Sequence, residues 1–230
     1  MNDDFLYFDH FLCRFHTDKI KVFSRVYREK ILSAFNDIEN DVEKEMDRIA
    51  NEYPFNPDFD DPGNVNEWAY GKGIDYGINL SESKCLFMAF SAVALYHDWE
   101  KSIISFLKKE IGRNNPIPSI SKWQHIVKWL KKYDTPIETF EFYHDLNELR
   151  LVSNAIKHGE GSSLSDLREL NASILSPKEN GDCSYSSGEF SLLGIDLYIE
   201  QNDLDRYEAA LLKFWEHQFW QTIGEKRCRK

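Results

Sequence analysis

Apolar side chains along this chain recur mostly at three- and four-residue steps, the repeat of a helix with one buried side. Over 17–52, Ile20, Phe23, Tyr27, Ile31, Phe35, Ile38, Val42, Met46 and Ile49 keep that step behind Thr17, a residue suited to an N-cap, so the pattern predicts one long helix. Three prolines among Asp and Asn in PFNPDFDDPGN (54–64) turn it into a loop. From about Asn66 to Ile111 the spacing predicts a second helical region, broken early at Gly71, Gly73 and Gly77 and capped anew at Ser81 or Ser83. Residues 83–97 are apolar on nearly every side, which suits a central helix packed by neighbours.

GRNNPIP (112–118) predicts a stop. Ser119 or Ser121 then caps a short amphipathic helix with Trp123, Ile126, Val127 and Leu130 inward and lysines outward, and Pro136 separates it from a helix over 141–158. SLSDLREL (163–170) forms a short helix with Leu164, Leu167 and Leu170 on one side. SPKENGDCSYSSG (176–188) reads as a loop, LLGIDLYIE (192–200) alternates like a short strand, and Asp203 opens a last helix whose Phe214, Trp215, Phe219 and Trp220 belong in a core. No repeat of solenoid period is present. The expected fold is mostly α, a helical bundle with long antiparallel helices and at most a short β element near 192–200. It forms a single domain over 1–230, with an N-terminal helix over 17–52, a bundle core over 66–172 and a C-terminal strand-like segment and helix over 192–223.

Composition adds limits. With 42% hydrophobic residues in 230, the chain can bury a substantial core without a staple. Cys13, Cys85, Cys183 and Cys228 lie far apart behind a start with no signal-peptide pattern, which points to a reduced, cytoplasmic protein. Cys85 sits in an apolar run and reads as inert packing. Charges or prolines interrupt each apolar run before the roughly 20 residues of a membrane span, so no membrane association is expected. A net charge of −11 opposes long-range attraction to phosphate polyanions, and DNA binding is not expected. Basic residues do cluster in KWLKKY (128–133) and EKRCRK (225–230), while acids gather in 37–61.

The stretch NELRLVSNAIKHGEG (147–161) is the one that invites chemistry. On a helical projection Phe142, Leu146, Leu149, Val152 and Ile156 form the core stripe, and Asn147, Arg150, Asn154 and His158 occupy a strip about 80 degrees wide on another side. Leu151 and Ala155 lie beside that strip, so part of it is expected to be covered. Lys157 and His158 in the last turn oppose the negative end of the helix dipole, and Gly159 suits a left-handed helix end, so capping alone explains how the motif finishes. Capping leaves Arg150 and Asn154 unexplained. A guanidinium that holds a phosphate and an imidazole that moves a proton are the pair that phosphodiester cleavage needs.

A helical bundle with an Arg-x-His motif near the end of its last core helix resembles the HEPN superfamily, which includes metal-independent ribonucleases of toxin–antitoxin, CRISPR and phage-defence systems. Here Arg150 and His158 are separated by seven residues, against four to six in that family, and their α-carbons stand about 12 Å apart on an ideal helix. The resemblance implies His158 as acid or base, Arg150 on phosphate, Asn154 positioning substrate, and a homodimer that pairs two motifs. ALYHDWEK (94–101), the 147–161 stretch and KFWEHQF (213–219) also resemble a group of uncharacterised bacterial helical proteins, a likeness that names no activity.

Other chemistry is thin. His97 and Glu100 share a helix face beside Lys101 and can support a site, or Glu100 can pair with Arg150 inside the bundle. Asn147 and Lys157 are candidate substrate-binding residues. His10 and His16 fall in an irregular start, and neither HEXXH nor paired cysteines occur, so no metal and no cofactor are expected. YGKGIDYG (70–77) fits no phosphate-binding loop, no nucleophilic triad stands out, and most aromatics lie at core spacing. Two functions remain: an HEPN-like ribonuclease or degenerate relative acting on RNA, and a non-catalytic helical module that binds a protein partner through the strip and the 176–188 loop.

Overall fold

A computed structural model of the chain describes residues 6–111, 119–170, 172–176 and 197–217. It is a mostly α bundle of long helices: α1 (His10–Val26), α2 (Ile38–Glu52), α3 (Pro62–Ile111), α4 (Trp123–Lys132), α5 (Tyr143–His158), α6 (Ser162–Glu169) and α7 (Gln201–Glu216). The described residues contain no strand. Of the strand expected near 192–200, residues 197–200 are described. They take no regular secondary structure, and Tyr198 N–H donates to the Ile174 carbonyl at 2.7 Å. The rest of that segment, residues 112–118, 177–188 of the expected loop, and Phe219 and Trp220 lie outside the described residues.

The helix expected over 17–52 is two helices. α1 starts at His10, so His10 and His16 are helical and Thr17 is a buried interior residue, not a cap. A π-helical turn at Tyr27–Ile31 and a 3-10 turn at Leu32–Phe35 follow, and Asp37 leaves helical geometry altogether (φ −140°, ψ 55°) before α2. Continuous apolar periodicity hid this break because both halves keep an inward face.

The opposite correction applies to α3, which runs unbroken for 50 residues, about 75 Å at 1.5 Å per residue. Its glycines serve close packing, not a break. A Cβ at Gly73 would collide with Met46, and one at Gly77 would lie 2.9 Å from Val42 Cγ2, so bare backbone lets α2 press against α3. Ser81 does not cap a new helix; its hydroxyl donates back to the Gly77 carbonyl at 3.0 Å. α2 and the first half of α3 thus form an antiparallel hairpin arm. α2 has no fully buried residue, and the arm leaves Phe55, Phe59, Trp68, Tyr70 and Ile74 exposed. From Met88 onward α3 changes character and buries Ala92, Tyr96, Trp99, Ile103 and Leu107 in the core. One 18-residue window of α3 reaches a mean hydropathy of 1.2, with 28% of it buried, so by length and composition alone this helix passes the test for a membrane span that the sequence reading gave to none.

Phe214 of α7 lies at the centre of the bundle. Its ring meets Trp99 edge-on at 5.1 Å, Phe142 at 6.1 Å and Phe8 at 6.3 Å, joining α3, the start of α5 and the N-terminal segment in one aromatic core. Leu164 and Leu167 of α6 are buried as the spacing required, with Leu170 packed against them from the edge. α4 begins at Trp123 behind Lys122, with neither Ser119 nor Ser121 as its cap. α7 begins after Glu200, whose backbone N–H donates to Asp203 Oδ2 at 3.0 Å, so Asp203 caps from inside the first turn. Cys13 is free and buried, and burial together with Asp9 pushes its thiol up to about 11. Cys85 is half-buried and packs against the core, as its apolar run suggested.

A charged cluster locks α5 to α7. Arg206 donates to Asp145 at 2.6 Å, Glu148 at 2.8 Å and Asp203 at 3.0 Å, and Tyr207 donates its hydroxyl to Glu148 at 2.6 Å. Glu148 is 3% exposed. Burial works against the charge on Arg206, but the bonds to Glu148 and Asp203 outweigh it and hold its pKa above the usual arginine value. Burial first, and then Glu148, push the Tyr207 phenol well up. Arg206→Ala leaves Glu148 and Asp203 buried without their cation. Chemical denaturation should show a loss of about 3 kcal/mol, the lower end of the range for a broken buried pair because Arg206 is itself partly solvated.

Candidate functional site

The burial pattern of α5 is set by its two neighbours. Leu146, Glu148, Leu149, Leu151, Val152, Ser153 and Ala155 are all buried, because α3 covers one side and α6 and α7 cover another. What remains partly open is a narrow strip: Tyr143, Asn147, Arg150 and Asn154 half-buried, then Lys157 and His158 exposed. The polar strip expected from helical projection is therefore the open side of the helix, and Leu151 and Ala155 beside it are covered. His158 is not a core histidine, and Phe142, Leu146, Leu149 and Val152 are core while Ile156 is half-buried.

Arg150 is held at the first half of the strip. Its Nε and Nη2 both donate to Asn147 Oδ1, at 3.0 and 2.9 Å, and its guanidinium carbon lies 5.3 Å from the centre of the Trp123 ring. Trp123 in turn stacks against Tyr143 at 6.2 Å and leans on Trp99 at 5.9 Å. An amide and an aromatic face orient the guanidinium without neutralising it. Arg14, Arg28, Arg48, Arg168 and Arg206 each reach a carboxylate, and Arg25, which reaches none among the described residues, is exposed where Arg150 is half-buried. Arg150 reaches none among the described residues.

The pairing of Glu100 with Arg150 does not form. Glu100 instead accepts the Tyr96 hydroxyl at 3.0 Å and lies 3.5 Å from His97 Nδ1. Burial and then Glu100 raise the Tyr96 phenol, while the nearby Arg150 charge pulls the other way. The same charge opposes the burial that raises Tyr143. Tyr96, Tyr143, Trp99 and Trp123 therefore wall the region of Arg150, with Glu100 one residue further out. The Trp99 indole nitrogen is buried with no hydrogen-bond partner among the described residues.

Asn154 and His158 are not drawn into this cradle. Neither makes a hydrogen bond or ion pair among the described residues, and His158 stands two turns beyond Arg150, about 12 Å along the axis. The helix closes through Gly159, whose N–H donates to the Ala155 carbonyl at 2.8 Å. Its φ of 69° with ψ of −141° is not the left-handed helical turn expected but a conformation open to glycine alone. The aromatic wall was invisible to spacing arguments, since Trp123 and Arg150 meet only through tertiary packing. Glu148 left a legible trace: an acid at a position that projects between Ala155 and Val152, two core residues, needs a buried cation.

Arg150 contributes two neutral-acceptor hydrogen bonds from an already open strip. Arg150→Ala should therefore cost only about 1–2 kcal/mol in urea denaturation, the sum of a modest cation–π contact and a net hydrogen bond. Trp123→Ala, which removes the wall itself, should cost about 3 kcal/mol or more.

No protein-family model matches the chain, and no curated protein or solved structure matches it either.

Proposed function

We propose that the open strip of α5 binds the phosphodiester of RNA and that the protein is an HEPN-like, metal-independent ribonuclease or a degenerate relative, working as a homodimer. The observation that carries this reading is Arg150: a half-buried guanidinium, oriented by Asn147 and Trp123, with no carboxylate partner among the described residues. A charge kept so prepared and so unpaired suits an oxyanion that arrives with the ligand.

The acidic balance does not oppose it. Residues 37–84, the arm and its approach, hold 13 Asp or Glu against 4 Lys or Arg, a net of −9, so the remainder of the chain carries only −2. The bundle that presents Arg150 is close to neutral, and the α4 lysines 128, 131 and 132 are exposed.

Catalysis needs His158 near the phosphate, and one copy keeps it two turns away. Asn154 lies midway between residues 150 and 158. A twofold axis passing at Asn154 between antiparallel α5 strips sets Arg150 of each copy opposite His158 of the other. In that arrangement His158 moves the proton of the attacking hydroxyl or the leaving oxygen, Arg150 stabilises the charged phosphate, and Asn147, Asn154 and Lys157 contact the strand. The 12 Å separation within one chain favours the second reading, a non-catalytic module that uses the strip to bind a partner.

The test uses labelled single-stranded RNA in the presence of EDTA. Wild type should cleave it, His158→Ala should lose about 100-fold or more, and Arg150→Ala should weaken binding as well. Mixing the two inactive variants should restore about a quarter of wild-type activity, because random pairing gives half heterodimers with one intact composite site each. RNA left intact by wild type overturns the nuclease reading.

A further inference from the structure

A cleft lies away from α5, between α1 and the C-terminal half of α3. It encloses about 640 Å³, within the range of small-molecule sites. Leu12 and Phe106 give it an apolar floor, and His16 and Lys19 stand on the α1 side. The His16 imidazole stacks on Trp215 at 4.3 Å with rings 20° apart, which fixes its plane. Lys19 pairs with Asp98 across the cleft and ties α1 to α3.

The α3 wall carries a regular row. Lys101, Ser105 and Lys109 follow one another at four-residue intervals, so each lysine stands about 6 Å along the axis from the serine between them. All three line the cleft, and neither Lys101 nor Lys109 has a carboxylate partner among the described residues. Two of the three acids of the cleft are engaged. Asp98 is taken by Lys19 and Glu110 accepts the Tyr7 backbone N–H at 3.3 Å, whereas Asp9, before α1, makes no capping hydrogen bond with its side chain. Three lysines against three carboxylates leave no surplus for a polyanion. Lys101 and Lys109 stand about 12 Å apart along the axis with the exposed Ser105 midway, so a single anionic head between them relies on two long side chains each leaning one turn toward that hydroxyl.

We propose that this cleft binds a small organic phosphate monoester, with its phosphate over Ser105 between Lys101 and Lys109 and its apolar body on Leu12 and Phe106. It is a site separate from the α5 strip, and nothing in it depends on RNA binding there.

Phenyl phosphate is a suitable probe, having one phosphate on one ring. Isothermal titration of the full chain should show saturable binding, with inorganic phosphate and phenol each at least tenfold weaker. Lys101→Ala/Lys109→Ala should weaken phenyl phosphate at least tenfold and Ser105→Ala about threefold, the scale of a lost neutral hydrogen bond. All three side chains are solvent-facing, and unchanged thermal unfolding would confirm the fold of each variant. Arg150→Ala should leave the affinity intact. Absence of saturable binding to wild type overturns the proposal. So does binding that survives Lys101→Ala/Lys109→Ala, or that disappears with Arg150→Ala and so belongs to the other strip.

Discussion

The contact between Glu148 and the Arg206–Tyr207 pair fixes how α5 is turned within the bundle. A carboxylate that is 3% exposed tolerates one orientation, the one that meets its cation and its phenol. Once Glu148 faces α7, the helical repeat leaves no freedom: Leu146 and Leu149 face the core, and Asn147, Arg150 and Asn154 fall on the open side. Apolar packing alone specifies this less sharply, because α5 has buried residues around most of its circumference. The buried ionic cluster acts on the rotation of the helix, and through it on which residues can meet a ligand.

Arg150 illustrates how a folded protein keeps a charge available. Ion pairing would satisfy it and silence it, and full burial would be costly. The structure takes neither course. An amide oxygen accepts two of its N–H groups, a tryptophan face covers one side, and no carboxylate among the described residues takes the rest. Glu100, the nearest plausible neutraliser from the sequence, is occupied by Tyr96 and close to His97 instead. The cleft between α1 and α3 follows a similar logic with Lys101 and Lys109, while its third lysine is used as a structural tie to Asp98.

Much of this was legible before any coordinates. Helical periodicity located α5, α6 and the start of α7 to within a few residues, although α7 ends at Glu216, short of the expected 223, and projection of 141–158 separated the core stripe from the open strip because every residue there obeys one repeat. Periodicity failed where two different backbones present the same face: residues 17–52 keep their apolar step straight through the π-helical and 3-10 turns at Tyr27–Phe35. It failed again at Gly73 and Gly77, because a helix-breaking tendency of about 1 kcal/mol per glycine is easily outweighed when the missing side chain lets two helices touch. The Trp123–Arg150 contact joins residues 27 positions apart and has no signature in local pattern. The Arg206 cluster spans about 60 positions and left only the trace of an acid among core residues.

The hairpin arm gives the molecule a pronounced electrical polarity. With nearly all the net negative charge placed on residues 37–84 and a near-neutral bundle at the other end of α3, the protein is a dipole built on a rod of about 75 Å. A negatively charged polymer approaching in solution would feel a torque before any contact, swinging the acidic end away and offering it the bundle first. Orientation during encounter would thus be set by a segment that never touches what arrives.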